Sequence, residues 1–182
     1  MIVNTKATYL YQSNYTSALG EMLVMAVNEG ICLLEFVDRI HFDKQVAKVH
    51  SYFKGSVKIE EHPHIIQLKK ELDLYFSKQL KTFSIPLFFI GTVFQIKVYH
   101  SLLNIDYGTT STYKQQSLLL GDLKAIRAVA TANGSNKMAI IVPCHRIIGS
   151  NNDLVGYAAG IGRKRTLLEL EGVFDTIQTK LF

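Results

Sequence analysis

Three helix-start signals follow one another in the second half of the chain. Residues 92–95 and 112–115 both have the Thr-x-x-Gln spacing of a capping box, in which each of the two side chains bonds the backbone of the other residue. Gly121-Asp122 then ends the second helix and opens a third. The apolar face predicted for that third helix consists of Leu123, Ile126, Val129 and Ala130. Short helices joined by a tight Gly-containing turn are typical of a helix-turn-helix, or of an ordinary helical hairpin.

The first half of the chain predicts strands and one helix. Residues 22–27 and 31–36 are apolar runs separated by Asn28-Glu29-Gly30, which predicts a hairpin. Apolar residues at helical spacing predict one helix from about residue 64 to 79. Residues 83–87 are predicted to be an extended connector, because Pro86 has no backbone donor for a sheet. We therefore expect two domains, over residues 1–84 and 85–182.

Composition and cysteine usage favour a folded protein in a reducing, cytoplasmic compartment. The two cysteines, Cys32 and Cys144, do not make a disulfide framework, and no Cys or His spacing suits zinc, so we expect no metal. The N-terminus lacks the apolar core of a signal peptide, and the longest apolar stretch, residues 85–94, is too short to cross a membrane. A net charge of +5 suits a polyanionic partner, although many basic proteins bind no nucleic acid.

Residues 143–146, Pro-Cys-His-Arg, place a thiol, an imidazole and a guanidinium side by side between apolar runs. The thiolate is the reactive form of cysteine, and cationic or hydrogen-bonding neighbours favour it. On these four residues alone, a nucleophile and a buried structural cysteine with chance neighbours are equally good interpretations.

Further landmarks recur in a fixed order around this motif. They are Gly91 to Gln95, Gly108 to Tyr113, Arg127 to Val129, Asn133 to Asn136, Pro143 to Arg146, Gly156-Tyr157 and Leu167 to Glu171. In this order the chain resembles the O6-alkylguanine-DNA alkyltransferase family, the methylated-DNA–protein-cysteine methyltransferases, from Gly91 to Gly172.

The resemblance implies an α+β fold, with an N-terminal ribonuclease-H-like α/β domain and a C-terminal helical domain like a winged helix-turn-helix. It implies DNA repair, in which an alkyl group such as methyl passes irreversibly from O6-alkylguanine in double-stranded DNA to Cys144, once per molecule. The enzyme would be a methylated-DNA–[protein]-cysteine S-methyltransferase that acts as a monomer without a cofactor and does not bind membranes.

The resemblance also implies residue roles. Cys144 would accept the alkyl group, His145 would take its proton through a water, Glu171 would orient the imidazole, and Tyr113 would supply a proton to the departing guanine. Arg127 would fill the space left when the base is flipped out of the stack. The remaining DNA contacts implied are Ala125, Ala128, Thr92 and Gln115. The pocket and hinge residues implied are Asn136, Pro143, Val155, Gly156, Tyr157, Ala158 and Ala159.

Simpler interpretations remain for some of these residues. Tyr113 could only pack against its helix, Glu171 could be a solvated charge, and Asn136 could be a turn residue. Candidate phosphate contacts, several of which could be solvated surface charges, are Lys114, Lys124, Lys137, Arg163, Lys164 and Arg165.

The chain departs from the family pattern in three places. Tyr99 stands where the family usually has Trp, a change in the core that we expect to be tolerated. Asp106 replaces a proline, which could loosen the turn before Gly108, and Ala158-Ala159 could narrow the pocket.

Two other functional classes also remain open on the residues: a non-catalytic DNA-binding module, and a cysteine hydrolase. The second is weak, because the Cys and His of such hydrolases are usually distant in sequence.

Overall fold

The computed structural model describes residues 9–174. The chain divides into two compact units between Ile90 and Gly91, six residues beyond the boundary expected from the sequence. Residues 86–88 stay with the first unit, because Ile31 N donates to Pro86 O at 2.9 Å and Phe88 N donates to Ile31 O at 2.8 Å. Gly30 is required beside this segment, since a Cβ there would lie 2.5 Å from Pro86 O.

Over residues 9–90, the first unit is a four-stranded sheet with two helices. Its strands are β1 (Tyr9–Ser17), β2 (Gly20–Val27), β3 (Gly30–Phe36) and β4 (Ser56–Lys58). They lie in the order β3-β2-β1-β4, with β1, β2 and β3 antiparallel and β4 parallel to β1. The helices are α1 (Phe42–Phe53) and α2 (Pro63–Phe76). The predicted hairpin is therefore β2–β3, and the predicted helix is α2.

The prediction of one helix in this half was wrong, because α1 is a second one. This helix begins after His41, which has a left-handed φ of 63° and makes no side-chain cap, so the start carries no sequence signal. Its buried face includes the polar Gln45 beside Val49 and Phe53, which weakens the apolar pattern. Val49 and Phe53 pack in the core with the odd-numbered residues of β2.

The second unit contains four helices in residues 91–174 and a two-stranded parallel sheet. The helices are α3 (Val93–Leu103), α4 (Tyr113–Leu119), α5 (Ile126–Gly134) and α6 (Ile161–Leu170), and the strands are β5 (Ser111–Thr112) and β6 (Ile147–Ile148). Helices α3, α4 and α5 contact one another. Both predicted capping boxes are present, at the start of α3 and of α4.

The third predicted helix begins differently from the prediction. A 3-10 turn, Leu123–Ala125, precedes α5, and Asp122 caps that turn by accepting from Lys124 N at 2.8 Å. A 3-10 turn has three residues per turn, so it shifts the phase of the apolar face. Leu123 is consequently 46% exposed, whereas Val129 is fully buried.

The two short strands of this unit connect parts of the chain that are distant in sequence. Strands β5 and β6 pair Ser111 with Ile147 and Thr112 with Ile148, which brings the start of α4 beside the segment after Pro-Cys-His-Arg. None of the helices within residues 9–174 has both the length and the apolar character needed to cross a membrane.

Candidate active site

The backbone before Cys144 makes two three-residue turns in succession. Ile141 N donates to Ala139 O at 2.8 Å across Ile140, and Cys144 N donates to Val142 O at 2.8 Å across Pro143. Ile140 has a φ of 71°, an outlier for a β-branched residue that the surrounding contacts must hold in place.

Asn136 is the side chain that ties these turns together. It is 4% exposed, and its Oδ1 accepts from Met138 N at 3.0 Å. Its Nδ2 donates to Val142 O at 2.8 Å and lies 3.3 Å from Cys144 Sγ. An amide N–H aimed at sulfur favours the thiolate, because it stabilises the charged form.

Behind Cys144, three charged or polar side chains meet in the protein interior. His145 Nε2 lies 2.9 Å from Glu171 Oε1. Arg146 donates from Nε to Glu171 Oε2 and from Nη2 to Glu171 Oε1, both at 2.9 Å. The His145 and Glu171 side chains are 0% exposed. This arrangement makes Glu171 the shared acceptor of an imidazole and a guanidinium.

Opposing effects set the charges of this group. Burial lowers the pKa of His145. The hydrogen bond and the negative charge of Glu171 raise this pKa, whereas the positive charges of Arg146 and Lys164 lower it further. Burial raises the pKa of Glu171, but hydrogen bonds from His145 and Arg146 outweigh burial and bring it to about 2. Glu171 is therefore ionised and His145 neutral at pH 7, with its proton on Nε2. His145 Nδ1 has no hydrogen-bond partner among residues 9–174, so its lone pair is left as a proton acceptor.

Cys144 faces a cavity of about 340 Å³. The other lining residues are Tyr113, Ala130, Asn133, Gly134, Gly156, Tyr157 and Ala158. Gly156 has a φ of 43°, and a Cβ there would lie 3.6 Å from the Tyr113 hydroxyl. Burial, and then the charge of Cys144, raise the pKa of Tyr113, so its hydroxyl stays protonated and able to donate.

The predicted pocket residues divide into lining and supporting groups. Gly156, Tyr157 and Ala158 line the cavity with Cys144. Ala159 is buried, and its carbonyl accepts from Arg163 Nη1 at 3.0 Å. Val155 is 38% exposed and contributes its carbonyl to a hydrogen bond with Lys164.

Two of the residues predicted to contact phosphate are buried, so these two predictions were wrong. Lys164 is fully buried, and its Nζ donates to Val155 O at 2.6 Å and to Ile147 O. Burial lowers its pKa to about 8. Lys137 is only 5% exposed, so it is also withdrawn from the surface. The sequence carries a signal for Lys164, which stands three and four residues before the buried Leu167 and Leu168 on one helix face.

The predicted DNA-contacting residues stand at three helix starts. Arg127 and Ala128 are exposed on the first turn of α5, and Ala125 is half-buried just before it. Thr92 and Gln115 are exposed, and both are occupied in capping boxes: Thr92 Oγ1 accepts from Gln95 N at 3.2 Å, and Gln115 Oε1 accepts from Thr112 N at 2.8 Å. Their roles toward DNA stay predictions.

Sequence reasoning missed several residues of the site. The sequence shows Arg146 only as a neighbour of the thiol, because its pairing with Glu171 spans 25 residues. Ala130, Asn133 and Gly134 line the cavity from the end of α5. Within residues 9–174, no three His, Cys, Asp or Glu side chains gather where they could hold a metal ion.

Both units match known families. Residues 10–89 match the family described as 6-O-methylguanine DNA methyltransferase, ribonuclease-like domain, and residues 93–173 match its DNA binding domain. A methylated-DNA–protein-cysteine methyltransferase of Methanosarcina acetivorans is 37% identical over 163 residues, which cover 90% of this chain and 99% of that protein. The chain belongs to the methylated-DNA–protein-cysteine methyltransferase family.

Other members of this methyltransferase family agree in sequence and in fold. The Methanosarcina mazei protein is 44% identical over 162 residues, covering 89% of this chain and 97% of its own length. The crystal structure of Mycobacterium tuberculosis OGT in complex with DNA has a TM-score of 0.76 and 34% identity, covering 88% of this chain and 92% of that one. These matches confirm the resemblance and the expected α+β class, with a ribonuclease-like sheet domain before a helical DNA-binding domain.

Proposed function

We propose that this protein repairs DNA by transferring an alkyl group from O6-alkylguanine to Cys144, once per molecule. The observation that carries the proposal is the half-exposed Cys144 at the wall of a cavity, backed by the buried His145–Glu171 pair. A relative that is named a methylated-DNA–protein-cysteine methyltransferase and a relative that was crystallised in complex with DNA support this proposal.

In the proposed reaction, Cys144 gives its proton through a water to His145 Nδ1. The sulfur forms a bond to the alkyl carbon while the bond from that carbon to O6 breaks, and the electron pair stays with guanine. Tyr113 donates a proton to the departing guanine, and the imidazolium then returns its proton to the tyrosinate. The products are unmodified guanine and a thioether at Cys144. Nothing in this cycle removes the alkyl group, so each molecule reacts once.

Double-stranded DNA containing O6-alkylguanine is the proposed partner. A base inside the duplex must be flipped out to reach Cys144, and Arg127 is the proposed side chain that takes its place. The exposed position of Arg127 next to Ala128 supports this role, because small neighbours let α5 approach the groove closely. We further propose that the protein acts as a monomer, since this one chain supplies every proposed reacting group, and that it works in the cytoplasm, where Cys144 stays reduced.

Intact-protein mass spectrometry with a duplex containing O6-methylguanine tests the reaction. We expect a gain of one methyl group per protein, mapped to Cys144 by peptide analysis, and no gain in Cys144→Ala. Cys32→Ala is the matched control, because Cys32 is 1% exposed and burial raises the pKa of its thiol. That variant should still gain one methyl group. Methylation that persists in Cys144→Ala, or turnover beyond one per molecule, would contradict the proposal.

A further inference from the structure

The carboxylate that orients His145 is surrounded by more donors than the imidazole alone. Besides His145, the Glu171 oxygens accept two hydrogen bonds from Arg146 and one from Gly108 N at 3.3 Å. Arg146 is itself held, because its Nη1 donates to Ile105 O at 2.6 Å and its guanidinium lies 5.9 Å from the centre of the Tyr107 ring. Arg146 thus engages both carboxylate oxygens in a fixed, two-bond geometry.

The two hydrogen bonds from Arg146 change the effect of Glu171 on the protonation of His145. A lone buried carboxylate beside an imidazole stabilises the imidazolium, and an imidazolium cannot accept a proton. Here the guanidinium offsets the carboxylate charge at hydrogen-bond distance. We infer that Arg146 is a positioning residue that neutralises Glu171 and so keeps His145 available as a proton acceptor over the pH range of alkyl transfer.

The charged groups around His145 are consistent with this inference. Glu171 is the anion that faces the ring, and Arg146 and Lys164 are the cations whose charges act on it. Lys164 comes from α6 and has its Nζ committed to the Ile147 and Val155 carbonyls rather than to Glu171. Arg146 is therefore the cation that can cancel the carboxylate directly, while burial disfavours the imidazolium independently of either.

The inference rests on the proposed function for its meaning, but the protonation of His145 can be measured without any reaction. The test is an NMR titration of the His145 ring from pH 5 to 9 in protein labelled at its six histidines, with His145 assigned from the spectrum of His145→Gln. Arg146→Met should move the midpoint of His145 upward by about one to three pH units, because the carboxylate is then uncompensated.

Three further variants separate charge from packing. Arg146→Met/Glu171→Gln removes both charges and should return the midpoint to the wild-type value or below. Arg146→Lys keeps the charge without the two-bond geometry and should shift the midpoint less than Arg146→Met. Lys97→Met removes an exposed positive charge from α3 and should leave His145 unchanged. An unchanged midpoint in Arg146→Met, or a raised one that persists in the double variant, would overturn the inference. If Arg146→Met does not fold, Arg146→Gln removes the same charge, and an unchanged His145 midpoint in that variant would do the same.

The rate of methyl transfer across the same pH range provides the second readout. In Arg146→Met the fall in rate at low pH should begin at a higher pH than in wild type, in step with the NMR midpoint. Wild-type protein that titrates as expected but transfers no methyl group would contradict the proposed function alone. Wild-type protein that transfers normally, with a His145 midpoint insensitive to Arg146, would contradict this inference alone.

Discussion

Glu171 couples the chemistry of the site to the stability of the fold. Its side chain is fully buried, and its ionised form is stabilised by His145 and Arg146 strongly enough to bring the pKa to about 2. An unfolded glutamate titrates near 4.3, so the folded state favours the ionised carboxylate. The resulting stabilisation is present above the unfolded pKa and is lost as pH falls through the range toward 2.

We therefore predict that Glu171→Gln lowers the free energy of unfolding at pH 7 by about 3 kcal/mol. The difference from wild type should shrink between about pH 4.5 and pH 2, as the wild-type carboxylate becomes protonated. Urea unfolding at a series of pH values measures this difference. The same substitution at the exposed Glu169, two residues away, is the control and should have little effect at any pH. A gap of equal size at pH 2.5 and pH 7 would show that ionisation of Glu171 is not its source.

At the scale of elements, a buried amide pair joins the three helices next to the cavity. Asn133 Nδ2 of α5 donates to Gln116 Oε1 of α4 at 2.7 Å, and Gln116 Nε2 donates to Ser101 Oγ of α3 at 2.9 Å. Gln116 is 1% and Asn133 6% exposed. Tyr113 begins α4 and Arg127 lies on α5. The amide pair therefore fixes the position of Tyr113, which lines the cavity, relative to Arg127, the proposed DNA contact.

A double-mutant cycle tests that connection. Gln116→Leu and Asn133→Leu should each cost about 1–3 kcal/mol of stability, because each leaves the other amide buried without its partner. The double variant should cost less than the sum by about 0.5–3 kcal/mol in urea unfolding. Gln116→Leu combined with a change at the exposed Gln79 of the first unit should be additive. Strict additivity in the Gln116–Asn133 cycle would refute the coupling.

Elements with local signals were predictable, and contacts between distant residues were not. The two capping boxes and the β2–β3 hairpin depend on neighbouring residues, so the sequence was sufficient to find them. Helix α1 lacks a side-chain cap, so the sequence did not indicate where this helix begins. Glu171 was placed through the family resemblance, whereas its bond to Arg146 depends on how the chain returns after 25 residues. The periodicity of a sequence does not predict a side-chain pair between residues so far apart.

Across the whole molecule, positive charge is concentrated in the second unit. Up to Ile90 the chain has ten Lys and Arg against nine Asp and Glu, and from Gly91 it has ten against six, so +4 of the net +5 lies in the second unit. The candidates for phosphate contact that remain exposed in this unit are Lys114, Lys124 and Arg165, with the half-buried Arg163. DNA affinity that depends on phosphate contacts falls as salt rises, because bound counterions are released.

We predict that the affinity for duplex DNA falls linearly on a double-logarithmic plot against salt concentration. Changing Lys114 and Lys124 together to Gln should reduce the slope by about 2 and weaken binding similarly for all sequences. Fluorescence anisotropy with a labelled duplex at several salt concentrations measures both quantities. Changing the exposed Lys48 and Lys70 of the first unit to Gln is the charge-matched control and should leave the slope unchanged. Equal slopes for the two double variants would rule out the proposed phosphate contacts.

The two-residue ladder between β5 and β6 separates two kinds of sequence change. Ser111 and Thr112 are registered against Ile147 and Ile148. Tyr113 directly follows Thr112, and two residues separate Cys144 from Ile147. Deleting one residue within β5 would shift the alternation of sides and turn Tyr113, a proposed reacting residue, away from the cavity. Lengthening the link between α4 and α5 leaves that register intact. The surface proposed to contact DNA can therefore change during evolution, or be redesigned in the laboratory, while the proposed reacting pair Tyr113 and Cys144 keeps its alignment.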